Sequence, residues 1–295
     1  MRTNPLTLIT ALACSLGQAN CATSEAAEMK SEPHTEGSGS AHGDASGHAS
    51  AHASASHSAQ AAHTDHPWLY TGDKGPSKWG ELDPKWALCG IGKDQSPIDL
   101  PSLGEDASGN SEKLSVDYMT VPLRVKNNGH TVEVQNRTDS FITVGTKRYD
   151  LSQFHFHSPS EHTIGGQRYP LEMQFVNKSR DGELAVVSVL FETGDLNDGL
   201  SEIWKKMPRQ ETQDYVNNEK KLVDVSSVIS LSEGYYHYAG SLTTPPCTEG
   251  VRWFVMKETK EIEKRSVDLF REVVGGRSNR PVQPLGSRKV LFISH

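Results

Sequence analysis

Gln153-Phe154-His155-Phe156-His157 is the stretch on which the reading of this chain turns. Side chains alternate faces along a strand, so His155 and His157 point the same way, and Gln153 shares their face and can orient them. The next strand-like run, Tyr169 to Val176, puts Glu172 and Gln174 on a common face by the same arithmetic. A neighbouring strand can therefore present Gln174 to a metal that the two imidazoles share. Two histidines and one ligand from a second strand leave a fourth position open for water, as in a catalytic rather than a structural zinc site.

The rest of the composition is consistent with that reading. A chain of 295 residues allows one large domain or two small ones, and 35% hydrophobic residues suffice for a core once a polar leader is set aside. The net charge of -7 and the lack of a long basic run exclude a nucleic-acid footprint.

The N-terminus reads as an export signal over residues 1–22, with Arg2, the mostly apolar Leu6 to Leu16, and the small Gly17 and Ala19. Its apolar stretch is too short to span a membrane. Neither Cys14 nor Cys21 follows a convincing lipoprotein-type run, so a simple cleaved signal is preferred and a lipid anchor is the alternative. Residues 23–66 are rich in Ala, Ser, Gly and His and cannot bury enough surface to offset chain entropy, so a disordered linker is expected. His34, His42, His48, His52, His57, His63 and His66 fall there, a metal-collecting tract or an ordinary solvated linker. Two cysteines remain beyond the leader, and an exported chain with two cysteines most simply joins them, Cys89 to Cys247. Periplasm is the expected location; cell surface and medium agree equally with a signal and a tether.

From Trp68 the composition is globular, giving one domain over residues 67–295. Strand-like runs occur at Val116 to Val125, His130 to Asn136, Phe141 to Thr146, Leu171 to Val176, Leu184 to Phe191, Val251 to Lys257 and Lys289 to Ile293. Helices are expected at Leu196 to Met207, entered from Asp195, and at Thr259 to Val274, stopped by Gly275-Gly276. The fold class is mainly β, with a largely antiparallel sheet and peripheral short helices.

Separate motifs then arrive in a familiar order: Gln95-Ser96-Pro97-Ile98, Asn127-Asn128-Gly129-His130, the Gln153 to His157 run, Ser160-Glu161-His162, and Gly240-Ser241-Leu242-Thr243-Thr244-Pro245-Pro246. On these the globular part resembles an α-class carbonic anhydrase of the exported bacterial kind. The resemblance implies a twisted central sheet with a zinc cleft, Zn2+ as cofactor, and reversible hydration of carbon dioxide to bicarbonate and a proton. It implies His155 and His157 as ligands, with Gln153 holding the His155 ring. Thr243 matches the gatekeeper that orients the nucleophile and donates to Glu161. Val176, Val186, Leu242 and Trp253 would form the apolar wall for the substrate, with Thr244 beside bicarbonate. His130 matches the proton shuttle, and Tyr70, Asn128 and Tyr238 match polar residues that order the connecting waters. His162 matches a structural hydrogen-bonding histidine.

Gln174 departs from the family, which has histidine there with Glu172 accepting its second ring proton. Its amide oxygen can still ligate and its NH2 can donate to Glu172, but an amide oxygen is a poorer zinc ligand than imidazole. A weakened enzyme is expected. The alternatives are an acatalytic binding or zinc-buffering protein, and an esterase activity secondary to hydration. The sequence carries no trace of oligomeric state.

Overall fold

The computed structural model describes residues 66–103, 105–106, 112–195 and 198–294. The signal, Cys14, Cys21 and the linker up to residue 65 lie outside the described residues, as does the expected helix start at Leu196.

The fold is mainly β, and its centre is a twisted mixed sheet. Its long strands run in the spatial order Val216–Val223, Val121–Asn127, Val132–Gln135, Lys147–His157, Leu171–Lys178, Leu184–Thr193, Glu249–Met256 and Tyr235–Ser241. Neighbours are antiparallel, except that Leu184–Thr193 lies parallel to Glu249–Met256.

The two-residue period of these strands sorts their side chains into two apolar layers. Phe154, Phe156, Met173, Phe175, Val187, Val189 and Phe254 face one way, all fully buried. Ile203 and Trp204 of the Ser201–Lys206 helix and Val267 and Phe270 of the Lys264–Val273 helix close that layer. Phe156 packs its ring 5.1 Å from Trp204 and 6.1 Å from Phe270. Each such side chain contributes about 1.5–3 kcal/mol. Val186, Leu190, Val251, Trp253, Val255 and Tyr238 face the other way, into a smaller cluster that shares its side of the sheet with His155 and Gln174. The larger layer thus anchors the strands from behind and leaves the opposite face for chemistry.

Several expected elements are corrected. The run Val116 to Val125 is two strands, Leu114–Asp117 and Val121–Asn127, with different partners. Tyr118 and Met119 between them are held by side chains, Tyr118 Oη donating to Asn177 Oδ1 at 3.0 Å and the Met119 N–H to Ser140 Oγ at 3.0 Å. The expected strand from His130 begins only at Val132, because Asn128 Oδ1 accepts the N–H groups of His130 and Thr131 and bends the chain there. Lys260–Ile262, expected as helix, pairs parallel with the end of the Leu184–Thr193 strand, and the helix starts at Lys264. It stops at Val273, with Gly275 and Gly276 at positive φ as expected. Within the described residues the helix expected over Leu196 to Met207 is a 3-10 turn, Asp198–Leu200, followed by a short helix, Ser201–Lys206. Val216–Val223 and Tyr235–Ser241 were not read as strands; the first is mostly exposed and polar, so its pairing left no alternation to read.

Cys89 and Cys247 are joined in the expected disulfide, with their Cα atoms 5.1 Å apart. It fastens the N-terminal segment across the sheet's open face, where Trp79 is fully buried and packs against Trp68 and Tyr70.

Candidate metal centre

Register builds the centre. Gln174 lies opposite His155 on one side and Ser188 on the other, and Glu172 lies opposite His157. One row across four strands thus reads Glu133, His155, Gln174, Ser188. The next row reads Gln153, Val176, Val186, Trp253, Tyr238. A polar row and an apolar row lie side by side because each strand alternates while its neighbours stay in step.

The two imidazoles are fixed by groups that only accept. His155 Nδ1 is 2.9 Å from Gln153 Oε1, and His157 Nδ1 is 2.5 Å from the carbonyl of Ser278. Each ring therefore carries its proton on Nδ1 and presents an unprotonated Nε2. The His157 Nε2 is buried and has no hydrogen-bond partner, although Glu161 Oε2 stands 3.4 Å away. The ring centroids are 5.0 Å apart. Burial and the neighbouring His157 push the His155 pKa down to about 3, against the opposing pull of Glu172 and Gln174, so this ring is neutral at physiological pH.

Gln174 spends both amide hydrogens on carboxylates, donating to Glu172 Oε1 at 2.9 Å and to Glu161 Oε2 at 3.0 Å. Its Oε1 is the remaining donor atom of the side chain. Two neutral imidazole nitrogens and one amide oxygen are a set that fits a divalent ion, and the buried Nε2 of His157 is left without a hydrogen-bond partner. Among the described residues no group of three or more His, Cys, Asp or Glu side chains is arranged as a metal site.

The carboxylates are held from all sides. Glu172 accepts from the N–H groups of Glu161 and His162, from His162 Nδ1, from Ser188 Oγ and from Gln174. Burial would raise its carboxyl, but the facing His162 and these hydrogen bonds outweigh that and hold it well below the usual range. Glu161 Oε1 accepts the N–H of Arg280 at 2.8 Å. Glu161 Oε2 accepts from the Gln174 amide, and among the described residues Thr243 is not one of the donors to Glu161.

Thr243 is 4% exposed and sits in a turn built by the Gln95-Ser96 pair. Ser96 and Ser241 exchange hydrogen bonds, N–H to Oγ, at 2.9 and 3.1 Å, and Gln95 Nε2 donates to the Cys247 carbonyl. Val186 and Trp253 are buried, and Val176 and Leu242 pack partly buried against the same cluster. Thr244 accepts the Cys247 N–H through its carbonyl.

Tyr70 stands between the centre and His130, its ring centroid 6.4 Å from each of the His157 and His130 rings, and its buried hydroxyl has no hydrogen-bond partner. Asn128 uses its Oδ1 to shape the turn that carries His130. Tyr238 is 1% exposed, and its hydroxyl meets Ser96 Oγ at 2.9 Å and His162 Nε2 at 2.6 Å. With these two protein partners it steadies His162 and through it Glu172. His162 has the structural place expected of it.

Ser278 and Arg280 were missed, and both lie in a C-terminal loop with no periodicity to mark them. Arg280, 1% exposed, donates to Gln95 Oε1, the Ser96 carbonyl and the Cys89 carbonyl, while its own N–H holds Glu161.

Fold and centre together define a class, a twisted-sheet protein with a His-x-His centre backed by buried carboxylates. A family model for eukaryotic-type carbonic anhydrase matches residues 74–294. A carbonic anhydrase of Neisseria gonorrhoeae is 41% identical over 233 residues, covering 78% of this chain and 90% of that one. A carbonic anhydrase of Pectobacterium atrosepticum is 34% identical over 234 residues, covering 79% and 93%. The solved structure of the α-carbonic anhydrase from Thermovibrio ammonificans with sulfanilamide superposes with a TM-score of 0.71 at 42% identity, covering 76% of this chain and 98% of that one. The chain belongs to the α-class carbonic anhydrase family, and family and fold support carbon dioxide hydration in general.

Proposed function

We propose that this protein hydrates carbon dioxide reversibly with a zinc ion held by His155 Nε2, His157 Nε2 and Gln174 Oε1. The observation that carries this reading is the buried His157 Nε2 without a partner, beside a second imidazole with the same fixed tautomer. Zinc, when bound, supplies the Lewis acidity by which water becomes a nucleophile at neutral pH, an effect for which carbonic anhydrases are the standard example.

The chain's own residues do the rest. Gln153 and the Ser278 carbonyl keep the Nε2 atoms unprotonated and aimed. The row of Val176, Val186 and Trp253, with Leu242, receives a small uncharged substrate and excludes water around it. Thr243 and Thr244 line the polar edge, with Glu161 as the nearby fixed anion. His130 takes protons toward solvent past Tyr70.

The glutamine lowers zinc affinity by about tenfold or more, since it alters a ligand and not merely its support. The disulfide supports an oxidising, exported location, with the periplasm as the proposed compartment. Among the described residues no helix is long and apolar enough to cross a membrane. A second reading, an acatalytic binding or zinc-buffering protein, is favoured by one observation: the Gln174 amide ties Glu161 to Glu172, so both its hydrogens are committed to the carboxylates.

Carbon dioxide hydration with zinc titrated in, alongside zinc stoichiometry by elemental analysis, tests the choice. One equivalent of zinc with saturating activity in the parent, lost in His157→Ala, supports the enzyme. A silent parent that gains zinc and activity only as Gln174→His supports the second reading.

A further inference from the structure

Residue 66, the last histidine of the polar leader, is packed onto the domain. Its Nε2 lies 3.1 Å from Glu211 Oε2, and its carbonyl accepts from Lys74 Nζ at 2.8 Å. Its ring lies over Gly129, whose φ is +82°; a Cβ there would come within 2.4 Å of His66 Nε2. The Asn128-Gly129-His130 turn therefore leaves room for an imidazole that any other residue at position 129 would displace.

The same ring meets His130, centroid to centroid at 4.5 Å and tilted by 59°. His130 also stacks on Trp68 at 3.7 Å and 7°. His130 thus meets both an indole and a second imidazole, and Glu211 and Lys74 are charged groups that contact His66. Burial and the neighbouring His66 push the His130 pKa down to about 4, with Glu211 opposing. A carrier of that kind releases a proton readily but does not store it near neutral pH, so it works best with an acceptor at its side.

We propose that His66 and His130 form a two-imidazole proton relay at the cleft mouth, with Glu211 as the counter-charge beside the outer ring. This rests on the carbon dioxide hydration reading. As an N–H bond breaks on His130 one forms on His66, and His66 then yields its proton to a buffer base in solution. No charge accumulates over a turnover.

The test uses the zinc-loaded full chain and oxygen-18 exchange, which separates the interconversion of carbon dioxide and bicarbonate from the proton-dependent release of water. His66→Ala is expected to lower the proton-transfer rate relative to the interconversion rate by about tenfold or more, with recovery in imidazole buffer. His66→Gln, which keeps a hydrogen bond to Glu211 but carries no proton, should show the same loss; a merely structural His66 would be rescued by it. Acting in series, the double variant with His130→Ala should lose no more than His130→Ala alone. An unaffected ratio in His66→Ala, rescue by His66→Gln, or multiplied losses in the double variant would each overturn the relay.

Absence of interconversion in the parent would instead overturn the hydration reading. The pair is then decided by NMR titration of the ring nitrogens in the same chain. His66→Ala must move the His130 titration upward, and Glu211→Gln must move it downward, because the groups are coupled. A His130 titration indifferent to both changes would refute the pairing.

Discussion

Gln174 faces His155 directly across two antiparallel strands, yet its amide hydrogens reach past the imidazoles to the carboxylates of Glu172 and Glu161. In the proposed centre one side chain therefore has two duties, satisfying buried anions and offering an oxygen to the metal. Gln174→Leu separates them. Glu172 keeps four other donors but Glu161 keeps one from the Arg280 backbone, so the cost falls mainly on Glu161. Urea unfolding of the metal-free protein should show a loss of about 1.5–3 kcal/mol. A neutral result would mean that the two bonds carry no net stability.

In the proposed centre Gln153 would act on the metal only through the His155 ring, whose Nδ1 it meets. In Gln153→Leu the proton of that imidazole loses its acceptor, so the Nδ1 tautomer and the ring angle are no longer fixed. Zinc affinity should fall about 10- to 100-fold in a chelator competition. Unfolding should hardly change, because Gln153 is only partly buried. Equal affinity in parent and variant would show that packing alone aims His155.

The centre was legible in the sequence wherever it rests on strand alternation. His155, His157, Glu172 and Gln174 share a face for a reason that two short runs already contain. What the sequence hid is what arrives from far away. The Ser278 carbonyl that fixes His157 is a backbone atom 121 residues distant, and no side-chain pattern announces it. The motif around Tyr238 gave its type but not its partners Ser96 and His162, and composition alone cannot show a single residue such as His66 docking. In the fold, the helix expected from Thr259 failed at its start because edge pairing with Phe191 to Thr193 outweighed local periodicity.

His130 also sets a pH dependence. Its folded pKa of about 4 lies below the unfolded value of 6.5, so between these two the unfolded chain binds more protons. Its contribution is therefore complete above about pH 6.5 and is lost as pH falls toward 4. His237, half-buried and lowered as well by desolvation, adds in the same direction. His130→Phe, which keeps a flat ring against Trp68, should flatten the acid limb of stability by about 1–2 kcal/mol once solvent screening is allowed for. Urea titrations at several pH values measure it, and parallel curves for parent and variant would refute the assignment.

The Cys89–Cys247 link closes a span of 158 residues and joins the N-terminal segment to the Thr243 turn. Paired replacement by serine should cost about 2–5 kcal/mol. Turnover should fall as well, since the Cys247 carbonyl is an anchor for Gln95. Non-reducing peptide mapping checks the linkage itself; two free thiols in the native protein would contradict it.

Arg280 gathers these parts into one unit. Its guanidinium reaches the Cys89 carbonyl beside the disulfide, and Gln95 and Ser96 beneath the Thr243 turn, while its backbone holds Glu161. Burial lowers its pKa to about 10, against the pull of Glu161, which still leaves the group charged at neutral pH. Arg280→Met keeps the volume and the backbone bond but strands three buried acceptors. A loss of about 2–4 kcal/mol in unfolding is expected, with a lower turnover from a loosened turn. Arg280→Lys should fall between parent and Met, because a single ammonium cannot reproduce the planar fork that meets three oxygens. Unfolding curves and hydration rates for the three proteins decide the matter: if Met matches the parent in both, the guanidinium is not what couples the disulfide to the centre.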